Sequence, residues 1–142
     1  MPKIKCEVEI SRSRLADVLC AGMEGGISYW AEISEFVSPP EGADLFVGMH
    51  AWGPESDGVF KHIHFPMCEA GGGVRLVDCT GDDNFPGGAK PVLLDYAALL
   101  RGLQLMAEQH PRHFASIVEE SEDADTGDCL IQLAVFGELV FG

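Results

Sequence analysis

The chain has 142 residues, 46% hydrophobic and 23% charged, the balance of an ordinary globular protein with enough length for one domain and a sizeable core. Nine Lys and Arg stand against 23 Asp and Glu, a formal net charge of −14, which disfavours nucleic acid and anionic membranes as direct partners. No apolar run reaches the roughly 20 residues of a bilayer span, and the segment from Met1 to Glu7 lacks the apolar core of a secretion signal. The 5 cysteines are odd in number and never spaced Cys-x-x-Cys, which reads as reduced thiols. A protein of the cytoplasm is expected.

In chain order, Lys3 to Ile10 alternates, with Ile4, Cys6, Val8 and Ile10 on one side and Lys5, Glu7 and Glu9 on the other, the pattern of a half-buried strand. Ser11 or Ser13 caps a helix that carries Leu15, Val18, Leu19 and Gly22 on one face and stops at Gly25-Gly26. Ile27 to Val37 is rich in β-branched and aromatic residues and is expected as a strand, with the rings of Tyr29 and Trp30 on opposite sides of the sheet. Leu45 to Trp52, Val59 to Phe65 and Val74 to Thr80 are predicted strands between turns rich in Gly and Pro. Gly81 to Ala89 is a loop.

After Pro91 the pattern turns helical. Tyr96, Leu99, Leu100, Leu103, Met106, Ala107 and His110 recur at helical spacing behind Asp95 as cap, and Pro111 opens a second helix with Phe114, Ile117 and Val118 inward. An acidic stretch follows, comprising Glu119, Glu120, Glu122, Asp123, Asp125 and Asp128 with no Lys or Arg among them. It runs into an almost wholly apolar tail from Cys129 to Phe141 that must pack into the core. The tail alternates as a strand would, but its length and the N-cap to N3 spacing of Asp125 and Asp128 favour a buried helix. The expected class is α+β: a mainly antiparallel sheet of about five strands with three to four helices packed to one side, in a single domain over 1–142.

Candidate chemistry is sparse. On a strand, His62 and His64 would share a face about 7 Å apart, and with Glu69 they give His-x-His-x4-Glu, the ligand order of cupin metal sites. Gly81-x4-Pro86-x-Gly88 echoes the second half of a cupin signature, but its histidine is missing and Pro91 stands in its place. Two polar-face histidines are the simpler account, and no metal or other cofactor is expected. Neither Gly71-Gly72-Gly73 nor Gly87-Gly88 has the residues of a phosphate loop, and no nucleophile turn occurs, so no catalytic residue is named. The segment from Glu24 to Trp30 stands out instead, because one of its two aromatic rings is free to serve as a contact or stacking platform.

That segment, Leu19-Cys20-x3-Glu24-Gly25-Gly26-x2-Tyr29-Trp30, resembles a family of small, uncharacterised phage and prophage proteins. So do Gly102-Leu103-Gln104-Leu105-Met106-Ala107 with Pro111-x-His113-Phe114, and Asp125-Thr126-Gly127-Asp128-x3-Gln132-x3-Phe136-Gly137-Glu138-x2-Phe141-Gly142. The family usually carries Asn where this chain has Ser28, and commonly Tyr as its final aromatic. The likeness covers the first and last thirds of the chain, and Glu35 to Val92 matches nothing in it. It implies a genomic setting and brings no established activity. Asp128, Gln132 and Phe136 fall at i, i+4 and i+8, one stripe of a helix, and Glu24 and Asp128 at element ends are expected to meet over one surface.

Three functions follow as expectations. The first is a phage-encoded acidic accessory protein, not an enzyme, that binds a host or phage protein through a basic surface and inhibits a nucleic-acid-handling or host defence complex. Its binding residues would be Glu24, Tyr29, Trp30, Glu119, Glu120, Glu122, Asp123, Asp125 and Asp128. The second is a binder of a small nucleotide-like ligand, with an aromatic stacking face and Arg75, Lys90 or Arg101 on the phosphates. The third is a cupin-like metal-dependent enzyme at His62, His64 and Glu69. A homodimer stays open because a sheet rich in edges invites pairing.

Overall fold

The computed structural model describes residues 1–44, 61–82, 84–88 and 90–142. In chain order these form α1 (Arg12–Ala21), a π-helical turn (Gly22–Gly26), β1 (Ala31–Val37), α2 (Lys61–His64), β2 (Gly73–Asp78), β3 (Val92–Leu94), α3 (Tyr96–Gln109), α4 (Pro111–Val118) and α5 (Ala124–Phe136). The class is α+β. Among the described residues the sheet has three strands in the order β1-β2-β3, both pairings antiparallel, rather than about five. The expected strand over Leu45 to Trp52 lies outside the described residues.

The helix of the tail organises the molecule. From Thr126 to Ala134 every residue of α5 is buried, the polar Thr126, Asp128 and Gln132 among them. It packs against α1, the π-helical turn, α3, α4 and β3. Asp123 caps it, its side chain accepting from Thr126 N at 2.9 Å, so the cap lies two residues before the expected Asp125. Gly137 ends it in the left-handed region at φ 76°, and its N–H donates to Leu133 O.

The crossing of α5 over the first helix is unusually close. A Cβ on Gly127 would lie 2.3 Å from Gly22 N, and one on Gly22 would meet Gly127 C at 2.8 Å. Only two glycines let the backbones touch there. The sheet closes the other side of the core through Val74 and Leu76 of β2 and Leu94 of β3, all fully buried with Leu99, Met106, Leu130 and Ile131.

Ser11 caps α1 and Asp95 caps α3, as the sequence predicts. Pro111 stands in the first turn of α4. Several expectations fail. Residues 1–10 form no strand, and all but Ile10 are exposed. Alternation suits a strand but does not supply a neighbour, and no described strand pairs with it. Ile27 to Trp30 turns rather than extends, with both Trp30 N and Ala31 N donating to Ile27 O. The described part of the expected strand ending at Phe65 is instead the short helix α2. The three-residue β3, too short to show alternation, has no counterpart in the sequence reading.

Candidate functional site

The first and last motifs of the chain meet at one buried carboxylate. Asp128 sits one turn into α5 and is 8% exposed. Its Oδ2 accepts from the Tyr29 hydroxyl at 2.7 Å, and its Oδ1 accepts from Trp30 Nε1 at 2.7 Å and from Gln132 Nε2 at 3.0 Å. The turn before β1 delivers adjacent Tyr and Trp donors to the same group. On a strand the two would have pointed apart, so the expectation of opposite faces is corrected.

Gln132, one turn further along α5, connects this carboxylate to the tail. Its Oε1 accepts from Val140 N and Phe141 N, each at 2.8 Å, and its Nε2 also donates to Phe141 O at 3.2 Å. The tail is thereby folded back so that Phe141 stacks on Trp30, with centroids 5.1 Å apart and planes 8° from parallel. Phe85 and Phe136 complete the cluster, each packed against both Trp30 and Phe141. Beside Asp128, burial and the hydrogen bond push the Tyr29 phenol up to about 12. A phenol held protonated in this way is a donor and neither a general base nor a nucleophile.

Of the residues expected to bind, the structure therefore uses Trp30 and Asp128 internally. Trp30 is fully buried and offers no stacking face, whereas Tyr29 remains half-exposed while holding Asp128. Glu24 and Asp128 do not share a partner. Glu24 stands in the π-helical turn with its Oε1 3.2 Å from His62 Nε2, a contact that is an ion pair only when the imidazole is protonated.

The acidic stretch also divides. Glu122 is nearly buried and paired with Arg14 of α1, so the sequence impression of a wholly uncompensated run is corrected. Asp123 is the α5 cap, and hydrogen bonds from Thr126 hold its carboxyl below the usual range. Glu119, Glu120, Asp123 and Asp125 are exposed. Three of the arginines already have acceptors, because Arg12 donates to Met67 O, Arg14 pairs with Asp17 and Glu122, and Arg75 pairs with Glu35. Exposed bases remain at Lys3, Lys5, Lys90, Arg101 and Arg112, outnumbered by the exposed acids.

The cupin-like reading loses its geometry. His62 and His64 stand in α2 rather than on one face of a strand, both are buried, and Glu69 lies exposed in the turn beyond. Burial pushes the His62 imidazole down by more than Glu24 draws it up. Among the described residues no group of three or more His, Cys, Asp and Glu is placed to hold a metal ion. Burial, with the neighbouring Asp128 carboxylate, pushes the Cys129 thiol up to about 11, away from nucleophilic use.

Sequence reasoning misses the roles of four residues. Phe85 falls in a predicted loop, although an aromatic among Gly and Asn is a sign that the loop is pinned inward. Arg14 as partner of Glu122 carries no local signal, since the two are far apart in the chain. Gly22 and Gly26, four residues apart, are a readable mark of close helix contact. Comparison with protein-family models, curated proteins and solved structures finds no match.

Proposed function

We propose that this chain is a phage-encoded acidic accessory protein that works by binding a host or phage protein with a basic surface. The observation that supports the reading is the separation of charge. Trp30, Asp128 and Gln132 of the motifs hold the fold together, while Glu119, Glu120, Asp123 and Asp125 face solvent at the α4–α5 junction. A field of this sign attracts a surface built for phosphates and accelerates encounter with it, which fits occupation of a nucleic-acid-handling or host defence complex in the host cytoplasm. No helix among the described residues is long and apolar enough to cross a membrane. The phage setting rests on the resemblance of the three sequence motifs.

Such binding is sensitive to salt because screening shortens the reach of exposed charges. Capture from host lysate at low and high salt tests it. The expected result is one stoichiometric partner at low salt that is lost at high salt. Absence of any such partner at low salt defeats the proposal.

The nucleotide-like ligand is less well supported, because Trp30 is buried and Arg75 is engaged by Glu35. The cupin-like enzyme is weaker still, given the placement of His62, His64 and Glu69.

A further inference from the structure

We propose that residues 1–10 are a strand arm that pairs with the outer edge of β1 in a second copy of this chain. The arm has the composition of a strand and pairs with no described strand. Ile4 is 89% exposed and Val8 46%, in a segment whose side chains alternate between apolar and charged. An alternating apolar segment left in water is a strand awaiting an edge.

The edge with the matching pattern is β1, which among the described residues bonds only to β2. Its register carries an irregularity between Ile33 and Glu35, so that Glu32 faces Val77 and Glu35 faces Arg75. Those partners are two residues apart, and Glu32 and Glu35 therefore share one face at the spacing of neighbours on a regular strand. Ile33 and Phe36, opposite Leu76 and Val74, share the other face in the same way.

Lys3 and Lys5 have the same two-residue spacing on the arm, and Ile4 and Cys6 occupy its other side. Laying the lysines along the Glu32 and Glu35 face brings Ile4 and Cys6 onto the face of Ile33 and Phe36, whichever way the arm runs. Phe36 is 37% exposed in the single chain and gains cover. Glu35 already receives Arg75 at 3.0 Å, so Lys3 or Lys5 joins an existing pair there, while Glu32 is met afresh. In that register the first seven residues of the arm run along β1, and Glu7 and Glu9 fall at or beyond its end. Among the described residues the arm joins no strand of its own sheet, and pairing with the edge of a second copy is reciprocal.

Sedimentation equilibrium tests this on the full chain, on a variant lacking residues 2–9, and on Lys3→Glu/Lys5→Glu. The full chain is expected to be a dimer, and the shortened variant a monomer with unchanged circular dichroism and melting temperature. Reversing both lysines sets like charges opposite each other and weakens association at least about tenfold. Adding Glu32→Lys to that variant, with Glu35 left on Arg75, restores part of it. A full chain that is monomeric at about 0.1 mM overturns the proposal. So does a dimer that survives loss of the arm, or a charge swap that fails to restore a folded variant.

Discussion

Asp128→Ala removes the acceptor shared by Tyr29, Trp30 and Gln132, and the consequences for the three donors differ. Tyr29 is 50% exposed and regains water, and Gln132 Nε2 keeps the Phe141 carbonyl. Trp30 is 0% exposed, so its indole N–H is left buried without an acceptor. An unsatisfied buried donor costs about 1–3 kcal/mol, and a hydrogen bond to a charged group contributes about 1.5–3 kcal/mol. These overlap rather than add, so the expected loss is about 3 kcal/mol, a large share of a typical total of roughly 5–15 kcal/mol. For a chain of this size that lowers the melting temperature by about 10 °C. Asp128→Asn keeps an oxygen for Trp30 and Gln132, and the Tyr29 hydroxyl can rotate to accept from the new amide, so the expected loss falls to about 1 kcal/mol. Urea unfolding followed by tryptophan fluorescence measures both. An alanine variant within about 0.5 kcal/mol of the parent refutes the reasoning, as does an asparagine variant that costs as much as alanine.

Three further outcomes are expected. Gly127→Ala places a Cβ 2.3 Å from Gly22 N and forces α1 and α5 apart, costing about 1–3 kcal/mol in urea unfolding despite the better helix propensity of alanine. Because the Tyr29 phenol is raised from 10.0 to about 12, the folded state holds that proton more tightly than the unfolded chain. Its contribution is complete below pH 10 and is lost as pH rises towards about 12, so Tyr29→Phe should show a shallower decline over that window. Alkylation of the native protein should modify exposed Cys6 and Cys79 and spare buried Cys68 and Cys129, a pattern that peptide mass mapping reads directly.

Much of the helical half was legible because periodicity and caps act locally. Asp95 and Ser11 sit where their side chains reach orphan amides, and the greasy tail had to be buried whatever its conformation. The same local logic misplaced the α5 cap by two residues, since Asp123 and Asp125 are chemically alike and packing chooses between them. The strands were harder. Residues 1–10 and Ile27 to Trp30 have β propensity, but propensity cannot say whether a neighbouring strand is present. At the site, the sequence singled out Glu24, Tyr29, Trp30 and Asp128 yet took them for a surface. What inverted the reading is that Trp30 and Asp128 satisfy each other, and a buried indole with a buried carboxylate is stable only as a pair. That contact spans most of the chain and leaves no trace in local composition.

The division of labour between a structural carboxylate and an acidic exterior is tested most directly by one paired binding measurement. Glu119→Lys/Glu120→Lys/Asp125→Lys changes only exposed side chains, and Asp128→Asn changes only the buried network. Capture of the low-salt partner is expected to disappear in the first variant with its melting temperature kept, and to persist in the second with its melting temperature lowered. Capture that survives the charge reversal but fails when Asp128 is altered in a folded protein would contradict it.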